Sequence, residues 1–269
     1  MTRIDKTILA LSLPLALLVS LAGLAGLLSP GFYAAETPNW QAQSLGQDLI
    51  DVCLVVPCLL VTAIAAARHH RAARLMWGGV VFYLCYTLVL YCFQVHFNSL
   101  FWVYCTGLGL SFYAALYFLF TVRRYTVSPG HTNKGVFRVT AVYFMVVSVF
   151  FYILWLMEVV PALLHHNIPK SVAGAGLFTN GVQVLDLGIF LPGVFLTAML
   201  LLRKSEWGQV LAPALLMFFV LMDLTIGALA VVMKYRGIES SLVLTGLMGV
   251  LAAWSLVLLI RFLKQSTGE

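Results

Sequence analysis

Two aspartates stand at the same place in two copies of one motif. Gly46, Asp51, Pro57, Thr62, Ala63 and Arg68 recur as Gly181, Asp186, Pro192, Thr197, Ala198 and Arg203, in the same order and 135 residues further on. The positions between them are almost all apolar in both copies, so the acid, proline, hydroxyl and base in register carry the information. A carboxylate in a bilayer costs roughly 2.5–3.5 kcal/mol even on the lenient insertion scale, so such a residue is expected to face a cavity or a partner. Pro57 and Pro192 each lack an amide donor and free a carbonyl one turn back, those of Cys53 and Gly188. Interrupted helices with freed carbonyls beside a carboxylate are a recurring way to hold a cation or a proton in a membrane. Asp48 lies three residues before Asp51, and Gln183 three before Asp186, so each pair is expected to stack on one helix face. Thr62 and Thr197 follow three turns later on those faces, ~16 Å deeper. A folding role competes with this reading, because an acid in the first turn of a helix is favoured by capping and by the helix dipole.

Further polar residues join these candidates. Asp223 sits between Met222 and Leu224 well inside an apolar stretch, and Glu158 stands shortly before Pro161, where a helix is expected to end. His96 lies in the short turn Gln94-Val95-His96-Phe97-Asn98, and His165 and His166 lie in a loop on the same side. Those imidazoles beside carboxylates have the ligand types of a transition-metal site, yet no HxxxH or HExxH spacing supports one, and no metal is assigned. Haem would want paired histidines within helices, which do not occur, and no cofactor is expected. The five cysteines, Cys53, Cys58, Cys85, Cys92 and Cys105, form no CxxC and read as small apolar fillers. Tyr83, Tyr86, Tyr91, Tyr104, Tyr113 and Tyr117 read as packing residues, and Trp77 and Trp102 as interfacial anchors. Gly107, Gly109, Gly246 and Gly249 suit close helix contact.

The elements that must hold these residues are membrane helices. Hydrophobic residues make up 62% of the 269-residue chain and charged residues 10%. Apolar windows of roughly 20 residues, enough to cross a ~30 Å hydrocarbon core, follow one another along it. The expected fold is all-α, a polytopic bundle of about eight transmembrane helices near 7–29, 49–67, 75–95, 99–121, 139–160, 182–202, 208–233 and 240–263. A transmembrane β-barrel would need short alternating segments, which are not seen. The first span has a basic start, but its apolar run exceeds a signal-peptide core, and it is read as a retained helix.

Charge supplies the orientation. The net charge of +6 is distributed in short clusters at alternate helix ends, which is a topology signal and argues against a nucleic-acid partner. Thirteen of the 16 Lys and Arg residues fall on one side, against Lys170, Lys234 and Arg236 on the other. The expectation is a multi-pass protein of the plasma (cytoplasmic) membrane with both termini cytoplasmic. Of the ten acids, only Asp5, Glu206 and Glu269 then lie inside, and Glu36, Asp48, Asp51, Glu158, Asp186, Asp223 and Glu239 lie in the outer half.

The doubled motif opens spans 2 and 6, and a weaker echo of Thr106-Gly107-Leu108 in Thr245-Gly246-Leu247 aligns spans 4 and 8. Residues 1–124 and 139–269 are therefore expected to be two four-helix repeats joined by a cytoplasmic linker at 125–138, which contains Ser128-Pro129-Gly130. An even number of spans per half makes the repeats parallel, related by a pseudo-twofold along the membrane normal. Three functions suit this arrangement. The leading one is a small-solute or ion transporter, proton- or cation-coupled, whose outward acidic cavity holds Asp51, Asp186, Asp223, Glu158, Asp48, Gln183 and His96. Its partners would be the lipid bilayer and a cation or small solute. One alternative is a non-catalytic subunit or sensor bound to a membrane protein partner. The other is an outward-facing enzyme using Asp51, Asp186, Asp223 and His96 in acid–base or metal chemistry.

Overall fold

A computed structural model describes residues 5–123 and 134–267. Among these residues there is no strand, and eight helices are long and apolar enough to cross a membrane. In chain order the elements are α1 (Lys6–Leu28), α2 (Pro38–Ile50), α3 (Val56–Ala67), α4 (Arg71–Gln94), α5 (Phe101–Val122) and α6 (Lys134–Leu164). They continue with α7 (Lys170–Ala175), α8 (Gly181–Leu185), α9 (Leu191–Leu202), α10 (Glu206–Tyr235) and α11 (Leu242–Thr267). Two five-residue π-helical turns, Asp51–Val55 and Asp186–Phe190, join α2 to α3 and α8 to α9 into the second and sixth spans.

Three boundaries differ from the sequence reading. The second span begins at Pro38, not near residue 49, because Thr37 caps the helix through its side chain, accepting from the Trp40 amide, and Pro38 fits the first turn. Its first three turns are largely polar and pack on α10 and α1. Pro161 does not end the fifth span; α6 runs through it to Leu164. The same helix begins at Lys134, so the last five residues of the expected linker are helical. The Ser128-Pro129-Gly130 segment lies outside the described residues.

The motif copies fold alike. In each, the π turn starts at the aspartate and its closing amide reaches back five residues, Val56 to the Asp51 carbonyl and Leu191 to that of Asp186. One wide turn immediately ahead of Pro57 and Pro192 accommodates the ring that would otherwise press on the preceding turn. Thr62 then donates to the Cys58 carbonyl (2.6 Å) and Thr197 to that of Gly193 (2.8 Å), so both hydroxyls serve their own helix. Both helices stop at the motif arginine, and the next residue turns into the left-handed region, His69 at φ 63° and Lys204 at φ 55°.

In the first four spans, α1 packs on α3 and α5, and α4 packs on the same two helices, closing a ring. In the last four, α9 packs on α6 and α10, and α10 on α11, while α6 and α11 touch only narrowly. The two sets meet along α4 and α10, with α2 against α10 and α8 against α4. These central helices have 67% and 61% of their apolar windows buried, against 28–39% for the other six, so the outer helices are the ones that face lipid. Gly79 makes the central contact possible, since a Cβ there would lie 2.2 Å from the Ala214 carbonyl oxygen. The motif glycines serve the same seam. A Cβ on Gly46 would meet Leu229 of α10 at 2.8 Å, and one on Gly181 would meet Gln94 and Leu90 of α4 at 2.9 and 3.2 Å.

The face where α1 begins is closed by an ionic cluster. Arg74 donates to Asp5 (3.0 Å) and Thr121 (2.8 Å), and Tyr117 donates to both Asp5 oxygens (2.9 Å). Burial alone would push the Asp5 carboxyl up, but the bonds from Tyr117 and Arg74 and the guanidinium charge hold it below the usual carboxylate range. The faces are named below by their charge: the basic face carries this cluster, and the acidic face lies opposite.

Candidate functional site

A cavity of ≈ 500 Å³ opens near the acidic face between α2, α4, α6, α7, α10 and α11. Asp223, Asp186 and Gln47 line it, with Lys170 of α7 the one basic residue in the wall among the described residues. Asp223 stands twelve residues before the end of α10, ~18 Å along the helix axis. It is 3% exposed, and its Oδ2 is buried with no hydrogen-bond partner among the described residues. Its neighbours on α10 in the cavity wall include the apolar Phe219, Met222 and Ile226. A bare carboxylate in such a place has to be matched by a cation, a proton or a donor brought in from outside.

Every other buried acid on this side has protein donors. Asp186, half-buried, accepts from Tyr86 OH (3.0 Å) and from Trp155 Nε1 (2.8 Å). Tyr86 belongs to α4, so this bond crosses from the first four spans to the last four. Asp51 does not line the cavity; it is 3% exposed and accepts from Gln47 Nε2 (2.9 Å) and from Tyr83 OH (3.3 Å). Gln47 also donates to Tyr83 OH (2.7 Å), which pairs with Thr225 Oγ1 on α10 (2.8 Å). Gln47 and Thr225 both reach the wall, so Asp51 meets the cavity only through them.

The remaining candidates hold the frame around the cavity. Asp48 is fully buried and accepts from Tyr33 OH (2.8 Å) and Tyr91 OH, wedged where a Cβ on Gly26 would lie 1.8 Å from its Oδ2. It therefore faces α1, the loop before α2 and Tyr91 of α4, while Asp51 faces Tyr83 of α4 and reaches α10 only through it. Burial and the neighbouring Asp48 both raise the Tyr33 phenol far above its ordinary value, so Tyr33 stays a donor. Glu158 accepts from the Ser171 amide (2.8 Å), Ser171 Oγ (3.1 Å) and Gln183 Nε2 (2.7 Å), anchoring α7 to α6 and α8. His96 is drawn away altogether: its amide (2.7 Å) and Nδ1 (2.9 Å) both bond Glu36 in the loop between α1 and α2. Among the described residues no group of three or more His, Cys, Asp and Glu side chains is placed to hold a metal.

Five residues of the site escaped the sequence reading: Gln47, Tyr83, Tyr86, Trp155 and Thr225. The tyrosines were read as packing, yet Tyr83, Tyr86 and Tyr91 each carry a hydroxyl to a different aspartate. Tyr83 and Tyr86, three residues apart, share a helix face, and that pairing was the available signal; Tyr91 lies roughly 140° round the helix from Tyr86. On the basic side of Asp223 the cavity ends against packed rings. Phe190 stacks on Phe218 at 4.1 Å, and Phe219 meets Phe144 at 5.8 Å and Tyr143 at 6.1 Å. Comparison with protein-family models, with curated proteins and with solved structures finds no match to this chain.

Proposed function

We propose that the protein is a transporter for a small solute or ion, seen with its site open to the acidic face and closed toward the basic face. The observation that carries this reading is Asp223, a buried carboxylate on a cavity wall without a donor or countercharge among the described residues. A purely structural acid at that depth would be expected to have what Asp48, Asp51 and Asp186 have, two protein donors each. Asp223 is the cation- or proton-binding group, Asp186 lines the same cavity, and Asp51 acts through Gln47. Asp48, Glu158, Gln183 and His96 serve as frame. The acidic face is the outer one, and both termini are cytoplasmic in a plasma membrane, as the Lys and Arg distribution argues.

Alternating access needs two bodies that can rock, and the parallel-repeat reading supplies them. Across a pseudo-twofold, equivalent residues meet each other on the axis. Gly79 and Ala214 are 135 residues apart, the motif offset, and touch; Tyr83 and Phe218 have the same offset and their rings lie 6.2 Å apart. The paired π turns and the reciprocal packing of α2 on α10 and α8 on α4 support the same symmetry.

Proteoliposomes test the reading. Wild type should move charge or protons under an imposed pH or sodium gradient, and Asp223→Asn should lose that flux while eluting as folded protein. Flux retained by Asp223→Asn removes Asp223 from the site. Folded wild type with no flux under any gradient shifts the case to the subunit reading. Reporter fusions at Arg71, Lys204 and the C-terminus should be cytoplasmic, and those at Asn98 and Asn167 external.

A further inference from the structure

We propose that the cavity takes an organic ammonium ion bearing an apolar arm, with the charged head against Asp223 and the arm toward a side gap between α6 and α11. The proposal rests on the transporter reading's assignment of this cavity and names the chemistry of its ligand. Charge comes first. The wall carries Asp186, Asp223 and Glu239 against Lys170 alone, and Asp223 has an unpartnered, buried oxygen there. An excess of carboxylate in a largely apolar chamber selects a cation.

The walls then decide which kind. A dehydrated metal ion needs several oxygen ligands in a close shell. Around Asp223 the wall offers the apolar side chains of Phe219, Met222 and Ile226. Aromatic residues line much of the same cavity instead. Tyr86 and Trp155 commit their polar tips to Asp186, which leaves their rings as wall beside Phe190 and Phe218. Aromatic walls with carboxylates are poor sites for a small metal ion and good ones for an ammonium group, whose charge is spread over carbon and attracted to ring faces. A volume of ≈ 500 Å³ is that of a chamber for an organic molecule, far beyond a bare ion.

The apolar arm follows from the two helices that fail to close. Near the basic face α6 and α11 are joined by the Phe137–Phe262 stack (5.1 Å) and the Tyr143–Ser255 bond (2.7 Å). Toward the acidic face both line the cavity, and among the described residues no hydrogen bond or ring contact joins Phe151–Leu164 to Leu242–Val250. The gap has Phe151 and Trp155 on one side and Leu244 on the other. Leu244, in the first turn of α11, lines the chamber and is 40% exposed. The matching helices of the first four spans, α1 and α5, pack together and leave no such opening.

Equilibrium binding to purified protein in detergent tests this, with radiolabelled benzyltrimethylammonium as probe and tetramethylammonium, sodium and neutral neopentylbenzene as competitors. Saturable binding is expected, displaced at least tenfold more weakly by tetramethylammonium and not by sodium or neopentylbenzene. Asp223→Asn should weaken it tenfold or more in folded protein. Leu244→Trp, at a site with room outward, should weaken the benzyl probe more than tetramethylammonium. Equal competition by neopentylbenzene, or binding indifferent to Asp223→Asn, overturns the proposal. If the probe does not bind while wild type still carries a proton or sodium flux in liposomes, the ligand class is wrong and the transporter reading stands. Absence of both removes both.

Discussion

Replacing Gly79 with alanine tests the seam between the two four-helix sets. The added Cβ would lie 2.2 Å from the Ala214 carbonyl oxygen and 2.6 Å from Met217 Cβ, where ordinary contact begins near 3.4 Å. The obstacle is backbone of α10, which cannot rotate aside, so α4 and α10 must part by about 1 Å along that line. Such a shift also strains the Tyr83–Thr225 bond (2.8 Å), the link between the same two helices one turn further on. Overpacking of a tight core costs typically ~1–3 kcal/mol, and a rigid obstacle places this variant toward the upper end. Alanine returns up to ~1 kcal/mol of helix propensity, which leaves about 1–2 kcal/mol net, or roughly 5–30-fold in the unfolding equilibrium. Gly109→Ala is the control, since its Cβ would meet nothing within 4 Å, and it should be neutral or slightly stabilising. Reversible unfolding in mixed dodecyl sulfate and maltoside micelles, followed by circular dichroism, compares them. If Gly79→Ala is as stable as Gly109→Ala, the close approach of α4 and α10 is not what this contact describes.

Tyr91→Phe and Tyr33→Phe each remove one of the two donors to fully buried Asp48, and each should cost ~1–3 kcal/mol in the same unfolding assay. Glu158→Gln should loosen α7, because Ser171 and Gln183 both bond that carboxylate; hydrogen exchange should quicken in Lys170–Ala175 and stay unchanged in α1. Asp5 has a carboxyl held below its ordinary value, so its contribution to stability is complete above the unfolded value of about 3.9 and is lost as pH falls through the lower folded value. Asp5→Asn should remove that part of the acid sensitivity below about pH 4, read as a flatter unfolding midpoint against pH.

The eight spans were legible because length and apolar content are additive along a sequence, and no contact between helices is needed to see them. The start of the second span was missed for a related reason. Pro38–Gln47 is polar and fails an apolar window, although Thr37-Pro38 is a helix-start signal on its own. The doubled motif located the two π turns without revealing them, since a proline in an apolar helix is compatible with a kink, a break or a wide turn. What was illegible were the partners of the acids. Tyr86 reaches Asp186 and Thr225 reaches Tyr83 across the seam between the two sets, and side-chain pairs separated by 100 and 142 residues leave no periodic mark. Charge counting puts His96 on the same side as the acids, yet the α1–α2 loop brings Glu36 to it and takes it out of the site.

On the proposed correspondence between the halves, the site arises where the copies differ. Tyr83 in the first half supplies a hydroxyl to Asp51; its counterpart Phe218 has none to give Asp186. Asp186 must then borrow Tyr86 from the other half, and that bond holds it half-buried at the cavity wall while Asp51 is sealed. Asp223 matches Leu88 at the same offset, a buried leucine whose Cδ atoms would lie 3.3 Å from a Cβ on Gly107. An acid cannot be placed against a neighbouring helix in that way without a partner, so the second half needs space around this position, and the narrow contact of α6 with α11 leaves it. The asymmetry is therefore one coupled change: a hydroxyl lost at 218, an acid at 223 and a helix pair left apart. Conversion of the first half in the same sense, by Leu88→Asp alone, should fail to create a second site and should destabilise the protein by several kcal/mol, because α1 and α5 leave an unpaired carboxylate no cavity to face.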